Sequence, residues 1–139
     1  MDQRFLYRNR NINRGFRKLN IWKLAIELYQ TIHPMMHSCD IPFKIRGQIQ
    51  DSALSVSSNI AEGYARRSIK ETLRFYEIAL SSAAECYSQL YALTAAKQIN
   101  ENTFKELDTQ LYELENKLIA MNKKLIKQIK DRTDWQTEY

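Results

Sequence analysis

Apolar residues recur along this chain at alternating steps of three and four, the period of one face of an α-helix. The first run is Leu19, Trp22, Ile26, Tyr29 and His33. It predicts helix one from about Leu19 to His37. Pro34 is expected to kink or break that helix, because proline lacks an N–H and clashes with the preceding turn. Ser38 to Pro42 reads as a connection. Ile45, Ile49, Ser52, Val56, Asn59 and Gly63, with Ile60 beside them, mark helix two from about Phe43 to Gly63. Its face is rich in Ser and Ala, which lets a neighbouring helix approach closely. Gly63 is placed to end it in a left-handed conformation.

Helix three has the clearest start. Ser68-Ile69-Lys70-Glu71 matches a capping box, in which the Ser hydroxyl and the Glu carboxylate satisfy free N–H groups. Leu73, Tyr76, Leu80, Ala83, Tyr87, Leu90 and Thr94 carry its stripe, and it is expected to run to about Lys97. Helix four is the most regular. Phe104, Leu107, Leu111, Leu114, Leu118, Met121 and Leu125 form an unbroken heptad seam, with Asn100 or Asn102 available as a cap. Four helices with short connections predict an all-α protein, an antiparallel up-down-up-down four-helix bundle. The expected divisions are an arm at 1–17, the bundle at 18–130 and a tail at 131–139, which has no periodic face.

Composition agrees with helix. The 139 residues make about one domain, and three Gly and two Pro are too few for a sandwich or barrel. Cys39 and Cys86 form no CxxC pair and read as the reduced thiols of a cytoplasmic protein. No apolar run reaches the length of a membrane span, and the N-terminus lacks an apolar signal core, so no membrane partner is expected.

Charge changes the picture once it is located. Residues 1–18 hold six bases (Arg4, Arg8, Arg10, Arg14, Arg17 and Lys18) against Asp2, a net of +5. Of the 21 bases and 16 acids in the chain, fifteen of each remain for the rest, which is neutral. In the arm the arginines alternate with Phe5, Tyr7 and Phe16 and with Asn9, Asn11 and Asn13. Arginine pairs phosphates bidentately, aromatic rings stack on unpaired bases and Asn reaches base edges, so this pattern points to nucleic acid. The alternative is a solvated terminus.

Arg66, Arg67, Lys70 and Arg74 form a second basic set at the turn between helices two and three. Phosphate contact competes there with capping and intersubunit ion pairs, since Glu62, Glu71 and Glu77 are close in sequence. Lys117, Lys123, Lys124, Lys127, Lys130 and Arg132 make a third set, where cations complement the helix dipole. Asn59, Glu62, Arg74 and Glu85 are expected to form a buried polar layer or a subunit contact. His33, His37, Cys39 and Asp40 have metal-ligating side chains, but Pro34 disrupts the spacing and no second cluster follows, so no metal is expected. No nucleophile, Gly-rich loop or metal constellation accompanies the carboxylates, so neither enzyme activity nor a cofactor is expected.

Two segments are distinctive: Leu19-Asn20-Ile21-Trp22-Lys23-Leu24-Ala25, and Asn59-Ile60-Ala61-Glu62-Gly63-Tyr64-Ala65-Arg66-Arg67-Ser68 followed by Glu71. With Ala79, Ser82 and Glu85 on helix three, they resemble the bacterial four-helix-bundle family of 23S rRNA intervening-sequence proteins. That family is similar to the accessory variability proteins of diversity-generating retroelements. The resemblance runs from about Phe16 to Ile129. It departs where the family often has Pro, here Val56-Ser57-Ser58, and where a Gly usually separates helices three and four, here Lys97-Gln98. It implies a homo-oligomer, a ring of five bundles with a positive surface and no enzyme activity. The retroelement relatives bind a reverse transcriptase and nucleic acid. The leading expectation is therefore a non-catalytic, homo-oligomeric accessory protein that binds RNA or DNA electrostatically. The alternative is a protein-interaction module without nucleic acid, favoured by the neutral body.

Overall fold

The computed structural model describes residues 13–38 and 40–131. A 3-10 turn at Gly15–Lys18 leads into four α-helices: α1 (Asn20–Ser38), α2 (Phe43–Tyr64), α3 (Ile69–Ala95) and α4 (Glu101–Lys130). No strand occurs among the described residues. Each helix packs on the next, and α1 also packs on α4, so the four enclose one core. The tail expected at 131–139 lies outside the described residues beyond Asp131.

The heptad seam of α4 holds as read: Leu107, Leu111, Leu114, Leu118 and Leu125 are buried, with Phe104 and Met121 partly covered. Asn100 caps the helix, its Oδ1 accepting from the Thr103 N–H at 2.7 Å. At the start of α3 the Glu71 N–H donates to Ser68 Oγ at 3.2 Å. The Ser68 hydroxyl also donates to the Glu71 carboxylate at 3.2 Å, closing the cap on itself.

Three readings change. On α1 the core face is Ile21, Ala25, Leu28, Ile32, Met35 and Met36. The stripe read from sequence sits one residue further round: Leu19, Trp22, Ile26 and Tyr29 are half-buried and His33 is exposed. Close packing favours the compact aliphatic face with Ala25 at its centre, and leaves the aromatics on its flank. Pro34 does not break α1, which continues to Ser38. Pro34 and Gln30, four residues earlier, are both exposed. The backbone hydrogen bond that proline removes therefore falls on the exposed side of the helix.

Gly63 does not end α2 either. The helix continues to Tyr64, and no described glycine has a positive φ. Gly63 serves close approach instead. A Cβ there would lie 2.7 Å from Phe75 Cβ and 3.0 Å from the Tyr76 ring. The Thr72 hydroxyl uses the same gap to donate to the Gly63 carbonyl at 2.7 Å. The left-handed residue is Lys97, with φ 63° after α3. There the Gln98 N–H donates to Leu93 O at 2.9 Å and the Lys97 N–H to Thr94 O at 3.0 Å. That is the Schellman pattern, made by lysine where glycine fits best.

Candidate nucleic-acid interface

The root of the basic arm is fixed by packing. Gly15 is buried against Tyr64, and any side chain at 15 would overlap the Tyr64 ring and hydroxyl. Phe16 sets its ring edge-on to Trp22 at 5.3 Å. The turn they form leaves Arg14, Arg17 and Lys18 exposed. Arg4, Arg8 and Arg10 lie outside the described residues. Tyr64 is the last residue of α2 and stands two positions before Arg66. The structure thus brings the arm's root beside the second basic set, which lies some fifty residues further along the chain.

At that second set a cleft of about 290 Å³ opens, lined by Glu62, Ala65, Arg66, Arg67 and Glu71. The Arg66 guanidinium lies over the Phe75 ring, 4.5 Å from its centroid. Such stacking leaves the edge N–H donors of a guanidinium directed outward. Lys70 and Arg74 are exposed on the first turns of α3. The cleft wall carries two carboxylates as well as two guanidinium groups, so the arm supplies the unbalanced charge. The stacked Arg66 fork beside such an arm suits a phosphate backbone.

The polar layer expected from Asn59, Glu62, Arg74 and Glu85 is not buried. Glu62, Arg74 and Glu85 are exposed and Asn59 is half-buried. A different seam joins α2 to α3. Ser52 donates to Gln89 Oε1 at 2.7 Å, and the Ser55 and Ser82 hydroxyls lie 2.9 Å apart. Asn59 Nδ2 donates to the Ser55 carbonyl at 2.8 Å and to Ser55 Oγ at 2.9 Å. Of the four expected residues, Asn59 belongs to this seam and Glu85 touches its edge, accepting from Gln89 at 3.4 Å. The small serines of α2 and Ser82 were visible in sequence, Ser82 only as part of the family pattern, but Gln89 carried no signal until α3 was placed. Beside the seam, burial pushes the Cys86 thiol up from 9.0 to about 11; the Ser52 hydrogen bond partly offsets this, and Glu85 and Glu115 add to it.

The third basic set is split from its surroundings by sequence alone. Residues 117–130 of α4 hold Lys117, Lys123, Lys124, Lys127 and Lys130 and no acid, and these lysines are exposed. Residues 101–116 hold five acids against Lys105. Arg132 lies outside the described residues. On α1, the His33 and His37 rings meet edge-on at 4.8 Å, and Gln50 Nε2 lies 3.3 Å from His33 Nδ1. Cys39 lies outside the described residues, among which no three His, Cys, Asp or Glu side chains gather as a metal site would require. No described helix is long and apolar enough to cross a membrane.

Sequence reasoning missed an aromatic cluster at the other end of α3. Tyr87, Tyr91 and Phe104 pack with ring centroids 5.7–6.2 Å apart. It also missed that Tyr112, Ile119 and Ile126, spaced by seven on α4, stay exposed. Their spacing was legible, but the stronger leucine seam beside them absorbed the reading.

A protein of unknown function from the S23 ribosomal protein family of Bacteroides thetaiotaomicron VPI-5482, known from its crystal structure, is similar in fold. The TM-score is 0.71 at 22% sequence identity, over 74% of this chain and 98% of that one. No curated protein matches the chain. The family described as 23S rRNA-intervening sequence protein matches residues 17–120, a span that begins at the exposed Arg17 and reaches into α4. The chain belongs to that family.

Proposed function

We propose that this protein is a non-catalytic accessory protein that assembles with copies of itself and binds nucleic acid through one basic pole. The carrying observation is the seating of Gly15 on Tyr64. It directs the arm, with its net +5 over residues 1–18, from the place where Arg66 and Arg67 already stand. Phosphate contacts dominate such a surface, so binding is strongly salt-dependent and weakly sequence-specific.

An antiparallel up-down-up-down course supports the pole. Along α2, Ser52, Ser55 and Gly63 meet Gln89, Ser82 and Phe75 in turn, partners that run backwards along α3. Tyr91 against Phe104 and Thr31 against Gln110 continue that order, which carries Lys123 to Lys130 towards the same pole. For self-assembly, the chain offers two unlike apolar faces. One is the Trp22, Ile26 and Tyr29 flank of α1; the other is the Tyr112, Ile119 and Ile126 line of α4. Unlike faces make head-to-tail contacts, which close into rings such as the pentamer the family resemblance implies. A ring of five would gather five arms, a field suited to a polyanion shared with a polymerase-type partner such as a reverse transcriptase.

The test is fluorescence anisotropy of a labelled single-stranded RNA with the full chain across a salt series. A steep loss of affinity with rising salt is expected. No binding at low salt overturns the nucleic-acid reading and leaves the protein-interaction module.

A further inference from the structure

The outer side of α4 has an order of its own. Tyr112, Ile119 and Ile126 are 67%, 38% and 39% exposed and form an apolar line open to solvent. Beside it, again at steps of seven, run Glu106, Glu113, Ala120 and Lys127, all exposed. A step of seven is close to two full turns, so each row keeps to one face of the helix. Lys123 and Lys130 are exposed between the two rows, three or four residues from members of each. The charged side of the apolar line is therefore acidic before Ile119 and basic after it.

We propose that, without nucleic acid, α4 pairs antiparallel with α4 of a second copy about a two-fold axis at Ile119. The charge order selects both the occupant and its direction. About that axis Ile119 meets its own copy and Tyr112 meets Ile126. A two-fold axis across antiparallel helices keeps like sides together, so the two charged rows face one another. Glu113 then falls between Lys123 and Lys127 of the second copy, and Glu106 comes opposite Lys130. A parallel α4 would set acid against acid and base against base. The α1 flank matches neither half, because α1 holds one Lys and one Glu as its only acid and base. The pairing deepens the self-assembly reading above and rests on its placement of the arm and the α4 end at one pole. The ring uses the same apolar line, so the two states exclude one another. A ring gathers its arms, each of net +5 over residues 1–18, at one pole, whereas the antiparallel pair holds them at opposite ends. Lys130 stands eleven residues beyond the axis, which sets the two basic poles ~33 Å apart. That is several times the screening length of ~8–10 Å in ordinary salt. Repulsion among the arms therefore favours the pair until a polyanion neutralises them.

The test uses full-length chains with Cys39→Ser, without nucleic acid, in a glutathione buffer. Ile119→Cys, which the axis sets against itself, is expected to give a disulfide-linked dimer roughly tenfold faster than Ser58→Cys, an exposed control on α2. Tyr112→Cys mixed with Ile126→Cys is expected to cross-link faster than either chain alone. Adding Glu106→Lys and Glu113→Lys to the Ile119→Cys chain should slow the dimer. Mixing that chain with an Ile119→Cys chain that carries Lys123→Glu, Lys127→Glu and Lys130→Glu should restore it. Equal rates at 119 and 58, no advantage for the mixed 112 and 126 chains, or a charge swap without rescue overturns the proposal. Such a failure leaves the head-to-tail ring standing, because that contact sets Ile119 against α1. It is also separate from any failure of nucleic-acid binding, because no RNA is present.

Discussion

A Cβ on Gly63 would stand 2.7 Å from the Cβ of Phe75, so α2 and α3 meet there with no space for a side chain. Phe75 Cβ is anchored directly to its backbone and cannot swing aside. Gly63→Ala should gain about 1 kcal/mol of helix propensity. Overpacking costs about 1–3 kcal/mol, and with backbone-anchored atoms in contact the upper part of that range applies. A net loss of about 1–2 kcal/mol in urea unfolding is expected, with Gly63→Val costing more. A stabilised alanine variant would contradict the close approach.

Lys97 takes the opposite substitution. Its φ of 63° places a lysine in the left-handed region, which costs a non-glycine residue roughly 1 kcal/mol. Lys97→Gly should raise the urea midpoint by an amount equivalent to about 0.5–1 kcal/mol, with an unchanged slope. No gain would mean that the lysine side chain contributes contacts that offset its backbone strain.

Cys86 gives the fold an alkaline limit. Burial raises its pKa from 9.0 to about 11, so the folded state holds the thiol proton more tightly than the unfolded chain does. This contribution is fully present below pH 9 and is lost as pH rises towards 11, for a total of about 2–3 kcal/mol. Stability against urea should therefore fall across pH 9–11, and Cys86→Ala should flatten that part of the profile. An equally steep fall in the variant would assign the alkaline loss to other groups.

The basic turn predicts a graded effect. Arg66→Ala and Arg67→Ala together should weaken RNA binding about equally for unrelated sequences and reduce the magnitude of the salt slope by about 1–2. The stacked Arg66 covers Phe75, so a stability loss below about 1 kcal/mol is also expected. Unchanged slopes would remove this turn from the interface.

The sequence made α4 legible because one strict heptad seam, Phe104 to Leu125, dominates it. It also marked the Ser68 cap and narrowed the α4 cap to Asn100 or Asn102, since caps are local events decided within four residues. The α1 face was misread by one position, since Trp22, Ile26 and Tyr29 are apolar enough to mimic a core while lying on its flank. Gly63 was misread because a glycine near a helix end usually signals a cap, whereas here it answers a contact with Phe75. Charge was located correctly along the chain. What no local pattern shows is that Gly15 rests on Tyr64, a contact between the arm and the far end of α2. The same limit hid the Ser52–Gln89 pair and the Tyr91–Phe104 contact, both of which exist only when two helices are laid side by side.

The most direct test of the central claim compares RNA binding by the full chain and by a chain lacking residues 1–12. That deletion removes Arg4, Arg8 and Arg10 but keeps the Gly15–Lys18 turn and its Tyr64 contact. The arm-and-turn account predicts a helical protein whose log affinity falls less steeply with log salt, by about 2–3 in slope for three lost arginines. A truncated chain that binds RNA with the same affinity and the same salt slope as the full chain would contradict it.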